Sequence, residues 1–406
     1  MRLLRVKAGV RAGILLVLVP TSAASVVQTG ADVLLCERLD LVRGARVGLI
    51  TNQTGRLTSG VRLVDALLDN KVDVCALFSP EHGIRGDAPA GAQVADTVDV
   101  STGVPVISLH GKARAPTPAA LSRLDVMVYC IQDAGVRFYT YTSTMILAME
   151  ACAEQGVRFV VLDCPNPQGG KRLEGPLLED SLRSFLGMLP VPVLYGLTPG
   201  ELALMANGEG WLRGGRRADL TVVPLRGWAR SMLWPGTGLP WRPPSPNLPG
   251  FQSAMVYPAT CLLEATNVSE GRGTPRPFEW FGAPWVDGEA LACSLSALGL
   301  PGIGFRPVRF TPSGSKHAGR LCGGAEMAVA NPLTARVVET GLHILGTLHR
   351  LYPDSLRVDL HGLRRRVGAG GPAAEWMDPR GRPMGPEAEA RSIGEFGRRA
   401  ARYHLY

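Results

Sequence analysis

The sequence predicts an α/β fold: a parallel sheet covered by helices on both faces, followed by a smaller α+β domain. Three observations carry this. Five short, almost continuously apolar runs recur in the first half of the chain, at 46–51, 72–79, 105–110, 125–133 and 158–163. Helical patterns fall between most of them, and near residue 234 the texture changes before a different set of elements begins. Runs without polar alternation suit strands buried on two sides, and strands alternating with helices build βαβ units.

The first helical pattern covers 60–70, with Val61, Val64, Leu67 and Leu68 on one side; two more cover 117–124 and 140–155. Thr198-Pro199-Gly200-Glu201 combines a capping box with proline at the first helical position, so a helix starts there and runs to about Glu209. A strand follows at 220–225. The stretch 234–249 is crowded with proline and has neither helical nor strand period, which puts a domain boundary between Arg226 and Trp241. The second half offers a helix at 288–298, strands at 304–310 and 325–330, and a long helix at 334–351. Residues 364–389 are rich in Gly, Pro and Arg and are expected to be poorly ordered, and 393–406 regains a helical pattern. The expected division is 1–24, 25–228 and 229–406.

Length and composition agree with this division. A chain of 406 residues has room for roughly two to three domains, and 46% hydrophobic against 19% charged residues is a globular balance. The net charge of +8 invites a nucleic-acid reading, but four basic residues lie in the first eleven positions. They precede an apolar run from Ala12 to Val19 and the small residues Ser22 and Ala24, the pattern of a cleaved secretory signal. That run is too short to span a bilayer. Without residues 1–24 the charge falls to +4. The expectation is a secreted or periplasmic protein with no nucleic-acid partner and no stable membrane span. Eight scattered cysteines form no Cys-x-x-Cys, which removes zinc-ribbon and redox-motif readings; buried thiols are favoured and disulfide pairing stays open.

Ligands of an open parallel sheet bind beyond the carboxyl ends of its strands. All five exits here are polar and braced by Gly or Pro. One edge of the sheet therefore gathers Asn52, Glu81, His82, His110, Asp133, Arg137, Tyr139 and Asn166. A single Glu-His pair on a loop is an ordinary surface feature, but five coincident exits point to an active site. The chain lacks Gly-x-Gly-x-x-Gly after its first strand, a Walker loop, a Gly-x-Ser-x-Gly elbow and His-Glu-x-x-His. What remains is rich in carboxylates. Glu81 and Asp133 could serve glycosidic cleavage, which needs a protonated acid beside a stabilised positive ring. The same pair with His82 could hold a metal in a hydrolase, and a non-catalytic saccharide-binding protein is a third reading. A second polar cluster, 264–274, and Trp241, Trp280 and Trp285 would suit a sugar in a cleft between domains.

The motifs Thr51-Asn52-Gln53-Thr54-Gly55, Pro80-Glu81-His82-Gly83-Ile84-Arg85-Gly86, Ile131-Gln132-Asp133, Arg137-Phe138-Tyr139-Thr140-Tyr141 and Pro165-Asn166-Pro167 resemble the exo-β-N-acetylmuramidase family of bacterial glycoside hydrolases. So do Pro244-Ser245-Pro246-Asn247, Asn267-Val268-Ser269-Glu270-Gly271-Arg272-Gly273-Thr274 and Gly282-Ala283-Pro284-Trp285, in the same order along the chain. Cys130, Cys164 and Ala265 depart from the family pattern. The resemblance implies a Rossmann-like N-terminal domain, a smaller C-terminal domain, a cleft between them, and release of N-acetylmuramic acid from the non-reducing ends of peptidoglycan fragments without a cofactor. It assigns Glu81 as the catalytic carboxyl. Chemistry then suggests that Glu81 is a general acid in a site dry enough to raise its pKa, with Asp133 and His82 beside it. Asn52, Tyr139, Asn166, Asn247, Asn267 and Glu270 are candidate substrate contacts, and Arg137 and Arg272 are candidates for the lactyl carboxylate.

Overall fold

The computed structural model describes residues 26–89, 91–370 and 386–406; the expected signal segment lies outside them. The chain opens with α1 (Gly30–Glu37), β1 (Arg46–Thr51), α2 (Leu63–Asp69), β2 (Asp73–Ser79), the short β3 (Thr97–Val98) and β4 (Pro105–Ser108). It continues with α3 (Pro118–Leu121), β5 (Val126–Cys130), α4 (Thr140–Gln155), β6 (Arg158–Leu162), α5 (Pro199–Gly208) and β7 (Leu220–Val223). These seven strands form one sheet in the order β3-β4-β2-β1-β5-β6-β7, parallel except for β3 at its edge. Without β3, the strands run 3-2-1-4-5-6 by sequence, the doubly wound Rossmann order.

Alternate residues along each strand supply two apolar layers. Leu49, Val128 and Val160 pack under α1 and α2, while Ile50, Tyr129 and Val161 pack against α4 and α5. This explains the unbroken apolar runs of the sequence. Gly48 is required where β1 bulges, because a Cβ there would meet Leu124 Cδ1 at 2.5 Å. The capping box at α5 is present as expected: Thr198 Oγ1 accepts from Glu201 N–H and Glu201 Oε2 accepts from Thr198 N–H. Gly156, at φ +67°, terminates α4.

The second half builds α6 (Phe251–Thr260), β8 (Trp280–Ala283), α7 (Gly288–Ser296), β9 (Ile303–Phe310), β10 (Cys322–Val329), α8 (Val337–Leu351), α9 (Leu360–Val367) and α10 (Pro386–Ala400). Its sheet is antiparallel, in the order β8-β10-β9. Five of the elements have no periodic pattern that announces them in the sequence: α1, β3, α6, β8 and α9. α6 escapes it because eight of its ten residues are buried, so no polar face marks the period, and because it contains Pro258. Within the stretch expected to be poorly ordered, 364–367 close α9 and 386–389 open α10; 371–385 lie outside the described residues. All eight cysteines are free thiols, five of them buried, while Cys36 and Cys293 are exposed. No helix among the described residues is long and apolar enough to cross a membrane.

Candidate active site

Beyond β2 the chain makes a tight turn in which Gly83 N–H donates to the Pro80 carbonyl at 3.0 Å. His82 takes φ +71° and Gly83 φ +76°. A left-handed histidine is costly by about 1 kcal/mol or more; the turn tolerates it because His82 Nδ1 lies 2.7 Å from the Ala88 carbonyl, which fixes the ring. Glu81 projects from this turn toward the start of α4. Its Oε2 accepts from Thr140 Oγ1 at 2.7 Å and its Oε1 from Gly91 N–H at 2.9 Å. Burial pushes the carboxyl up, but these two donors, together with His82 and His110, outweigh it and hold Glu81 below the ordinary glutamate range. The expected upward shift is therefore reversed. Together the two donors and the two histidines outweigh desolvation, and Glu81 is held as a carboxylate.

Glu81 lines a cleft of about 780 Å³ between the two halves of the chain. His82, Tyr139 and Tyr141 share its wall, and Asn247 enters from the proline-rich segment. Tyr139 is buried with its hydroxyl unpartnered, its ring edge-on to Tyr141 and Tyr257. The opposite wall is ionic. Arg272 pairs with Glu264 at 2.5 Å and Glu270 at 3.0 Å, Arg366 holds the other oxygen of Glu264 at 2.7 Å, and Lys316 reaches Glu270 at 3.0 Å. Three cations against two carboxylates leave a surplus of one positive charge facing Glu81's side. Burial disfavours a charged Arg272, but Glu264 and Glu270 overcome this and raise its pKa, so it stays protonated.

The structure brings together Glu81, His82, Tyr139, Asn247, Glu270 and Arg272, and it withdraws five other candidates from the cleft. Three of these close turns. Asn52 Oδ1 accepts from Thr54 N–H, Asp133 Oδ1 from Gly135 N–H and Asn166 Oδ1 from Gln168 N–H, at 2.9, 2.6 and 2.8 Å. An Asn or Asp that bonds the backbone two residues on is a turn device. Asp133, the expected partner of Glu81, is 2% exposed and does not line the cleft; Tyr195 donates to it, and burial pushes its carboxyl up to about 7. Arg137 is likewise no carboxylate receptor. Its Nη1 donates to the Pro176 and Val191 carbonyls and its Nη2 to those of Arg366 and Val367, all within 2.9 Å. Asn267 faces away as well, clamping the Ser355 carbonyl and the Arg357 N–H.

Thr140, Lys316 and Arg366 belong to the site without having been singled out as functional residues. Lys316 was detectable as one of five lysines in the chain, set in a Ser/Gly loop; Arg366 lay in the stretch expected to be poorly ordered. The sheet's reversal point, between β1 and β5, holds a crevice of only about 50 Å³, because Trp234, Leu239 and Pro240 pack over it. The proline-rich segment thus diverts the site toward β2. Glu81, His82 and Asp133 do not converge as metal ligands, and no group of three suitable side chains could hold a metal among the described residues.

Comparison with known proteins agrees with this architecture. The family profile described as exo-β-N-acetylmuramidase NamZ, N-terminal, matches residues 47–252, and its C-terminal counterpart matches 255–406. The chain is 49% identical, over 81% of its length and 78% of the relative's, to the peptidoglycan β-N-acetylmuramidase NamZ of Bacillus subtilis (strain 168). Two crystal structures of DUF1343 family proteins from Bacteroides fragilis superpose over 94% of this chain and 99% of theirs. Their TM-scores are 0.85 and 0.75, at 39% and 31% identity. With both halves matched in order and the fold shared, the chain belongs to the exo-β-N-acetylmuramidase NamZ family.

Proposed function

We propose that this protein is an exo-acting glycoside hydrolase that removes N-acetylmuramic acid from the non-reducing ends of peptidoglycan fragments. The observation that carries the reading is the pairing, across one cleft, of Glu81, a carboxylate with no ion-pair partner among the described residues, and a wall with surplus positive charge. That wall suits the lactyl carboxylate that distinguishes muramic acid from glucosamine, with Arg272 as receptor and Lys316, bonded to the Leu263 and Val268 carbonyls and to Glu270, holding the wall in place.

Glu81 is the acid and then the base. Sugar filling the cleft displaces water, which raises the carboxyl's pKa so that it enters the complex protonated. It gives that proton to the glycosidic oxygen as the bond to C1 breaks. Glu264 and Glu270 are pinned by cations and Asp87 lies at the exposed rim, so the substrate's own acetamido oxygen attacks C1 in place of a second carboxylate. Glu81 then takes a proton from the water that opens this intermediate. Family membership supports the reaction class; the residue roles are our reading. The N-terminal pattern supports export to the periplasm or medium with loss of residues 1–24, which N-terminal sequencing of the exported protein would test.

A chromogenic β-N-acetylmuramide and its N-acetylglucosamine counterpart test the assignment. Hydrolysis of the first alone, reduced by at least ~10²-fold in a folded Glu81→Gln protein, is the expected result. Equal turnover of both sugars, or unchanged turnover by Glu81→Gln, would refute it. Lys316→Met should raise KM for the muramide while kcat changes little.

A further inference from the structure

A second groove, of about 630 Å³, lies on the N-terminal half, separated from the cleft by one turn of chain. That turn is closed by two hydrogen bonds between Ser184 and Gly187, each 2.9 Å. Leu186 on it faces the cleft, and Ser184, Phe185 and Met188 face the groove. α4 spans both spaces: Thr140, the donor to Glu81, lines the cleft, and Leu147 and Glu150 line the groove. At 1.5 Å rise per residue, the ten positions from Thr140 to Glu150 amount to about 15 Å.

The lining combines aromatic rings with arginine. Phe185 and Trp211 are each half-buried; Arg114 stacks over Phe185 at 4.1 Å and Arg399 lies over Trp211 at 5.7 Å. Arg114, Arg183 and Arg213 line the groove against a single carboxylate, Glu150. Arg183 pairs outside the groove with Asp180 at 2.9 Å, Arg213 approaches Glu150 only to 3.8 Å, and Arg114 makes no ion pair among the described residues. Glu150 is committed to the backbone, accepting from Arg213 N–H at 2.9 Å. The surplus is positive, and the groove therefore suits an anionic ligand with apolar ring faces. A guanidinium matches a carboxylate, and an aromatic ring matches the face of a sugar.

We infer that this groove binds the leaving part of the same glycan. In a chain of alternating amino sugars, the released muramyl unit is followed by a glucosamine and then by a second muramyl unit. Its lactyl carboxylate would meet Arg114 and Arg213, the glycan following α4 over the roughly 15 Å from Thr140 to Glu150. The inference rests on the muramidase reading and adds to it a preference for longer chains over disaccharides.

The test uses the full chain with reduced disaccharide and tetrasaccharide fragments, both beginning with N-acetylmuramic acid, and the chromogenic muramide as a probe that cannot reach the groove. Wild type should show kcat/KM about tenfold higher for the tetrasaccharide than for the disaccharide. The exposed double substitution Arg114→Ser, Arg213→Ser should abolish that gain and leave the chromogenic rate unchanged. A tetrasaccharide whose third sugar carries an amidated lactyl group should lose the gain with wild type. Equal kcat/KM for both lengths in wild type, or an undiminished gain in the double variant, would overturn the inference. Failure to hydrolyse the chromogenic muramide would count against the muramidase reading instead. The groove would then be judged by calorimetric titration of the tetrasaccharide: weaker binding to the double variant supports it, and absent or unchanged binding overturns it.

Discussion

At Glu81 the balance of two opposing effects sets the protonation state. Burial alone would favour the protonated acid, but Thr140 Oγ1 and Gly91 N–H donate to both oxygens and reverse the direction. Thr140→Val keeps the shape and removes one donor, so the carboxyl's pKa rises. The limb of the kcat/KM profile that falls as Glu81 ionises in the free enzyme should move to higher pH by about one pH unit, and an unmoved limb would show that Glu81 is not the titrating group. Asp133 behaves in the opposite way. In the fold its proton is retained to about pH 7, whereas the unfolded chain releases it near pH ~4, so stability declines as pH rises between those values. Asp133→Asn cannot ionise. Relative to wild type it should gain on the order of 2 kcal/mol between pH 5 and pH 8, read as a Tm difference that widens with pH. Residue types at strand exits were legible in the sequence, but their directions were not. Asn52, Asp133 and Asn166 have the same polarity as Glu81, and only the backbone donors two residues further on show that they close turns.

Among the elements, α9 shows how a residue outside the cleft shapes it. Arg137 caps the carbonyl end of α9 through Arg366 and Val367, and the side chain of Arg366 reaches back to Glu264 in the cleft wall. The guanidinium is fully buried without a carboxylate partner, and burial lowers its pKa to about 9. Arg137→Met would leave the Pro176, Arg366 and Val367 carbonyls without their donor, while Val191 keeps Leu178 N–H, which costs about 3 kcal/mol or more. In the fraction that remains folded, KM for the muramide should rise more than kcat falls, since α9 carries part of the cationic wall and makes no contact with Glu81's donors. Denaturant titration and steady-state kinetics measure the two effects, and a wild-type KM would place the role of Arg137 in stability alone. Elements with one buried face, such as α7 and α8, were visible as periodic patterns. α6 was hidden because nearly all of it is enclosed, and α9 because its arginines suggested a solvated, unstructured stretch.

On the scale of the molecule, one apolar core links the two sheets. It runs from Ile50 and Phe78 through α4 and α5 to Ala283, Leu348 and Phe396. Glu174, in the N-terminal half, accepts from the N–H groups of Val337, Val338 and Glu339 at the start of α8, three bonds between the halves that satisfy donors the helix itself leaves free. Tyr406 closes the other side, donating to Asp163 at 2.7 Å. A continuous core should melt as one unit. Calorimetry should show a single transition with van't Hoff and calorimetric enthalpies in agreement, whereas two separated transitions would mean that the halves unfold independently. By itself the sequence determined the parallel sheet and set Glu81 in the turn that leaves its second strand. Each of these follows from periodicity or from a motif read over a few consecutive residues. Tertiary structure alone decided that Asp133 and Arg137 lie behind the wall, that Lys316 and Arg366 complete it, and that the pKa of Glu81 moves down. Those outcomes depend on donors and charges brought close in space from distant parts of the chain, and local sequence does not encode such distances.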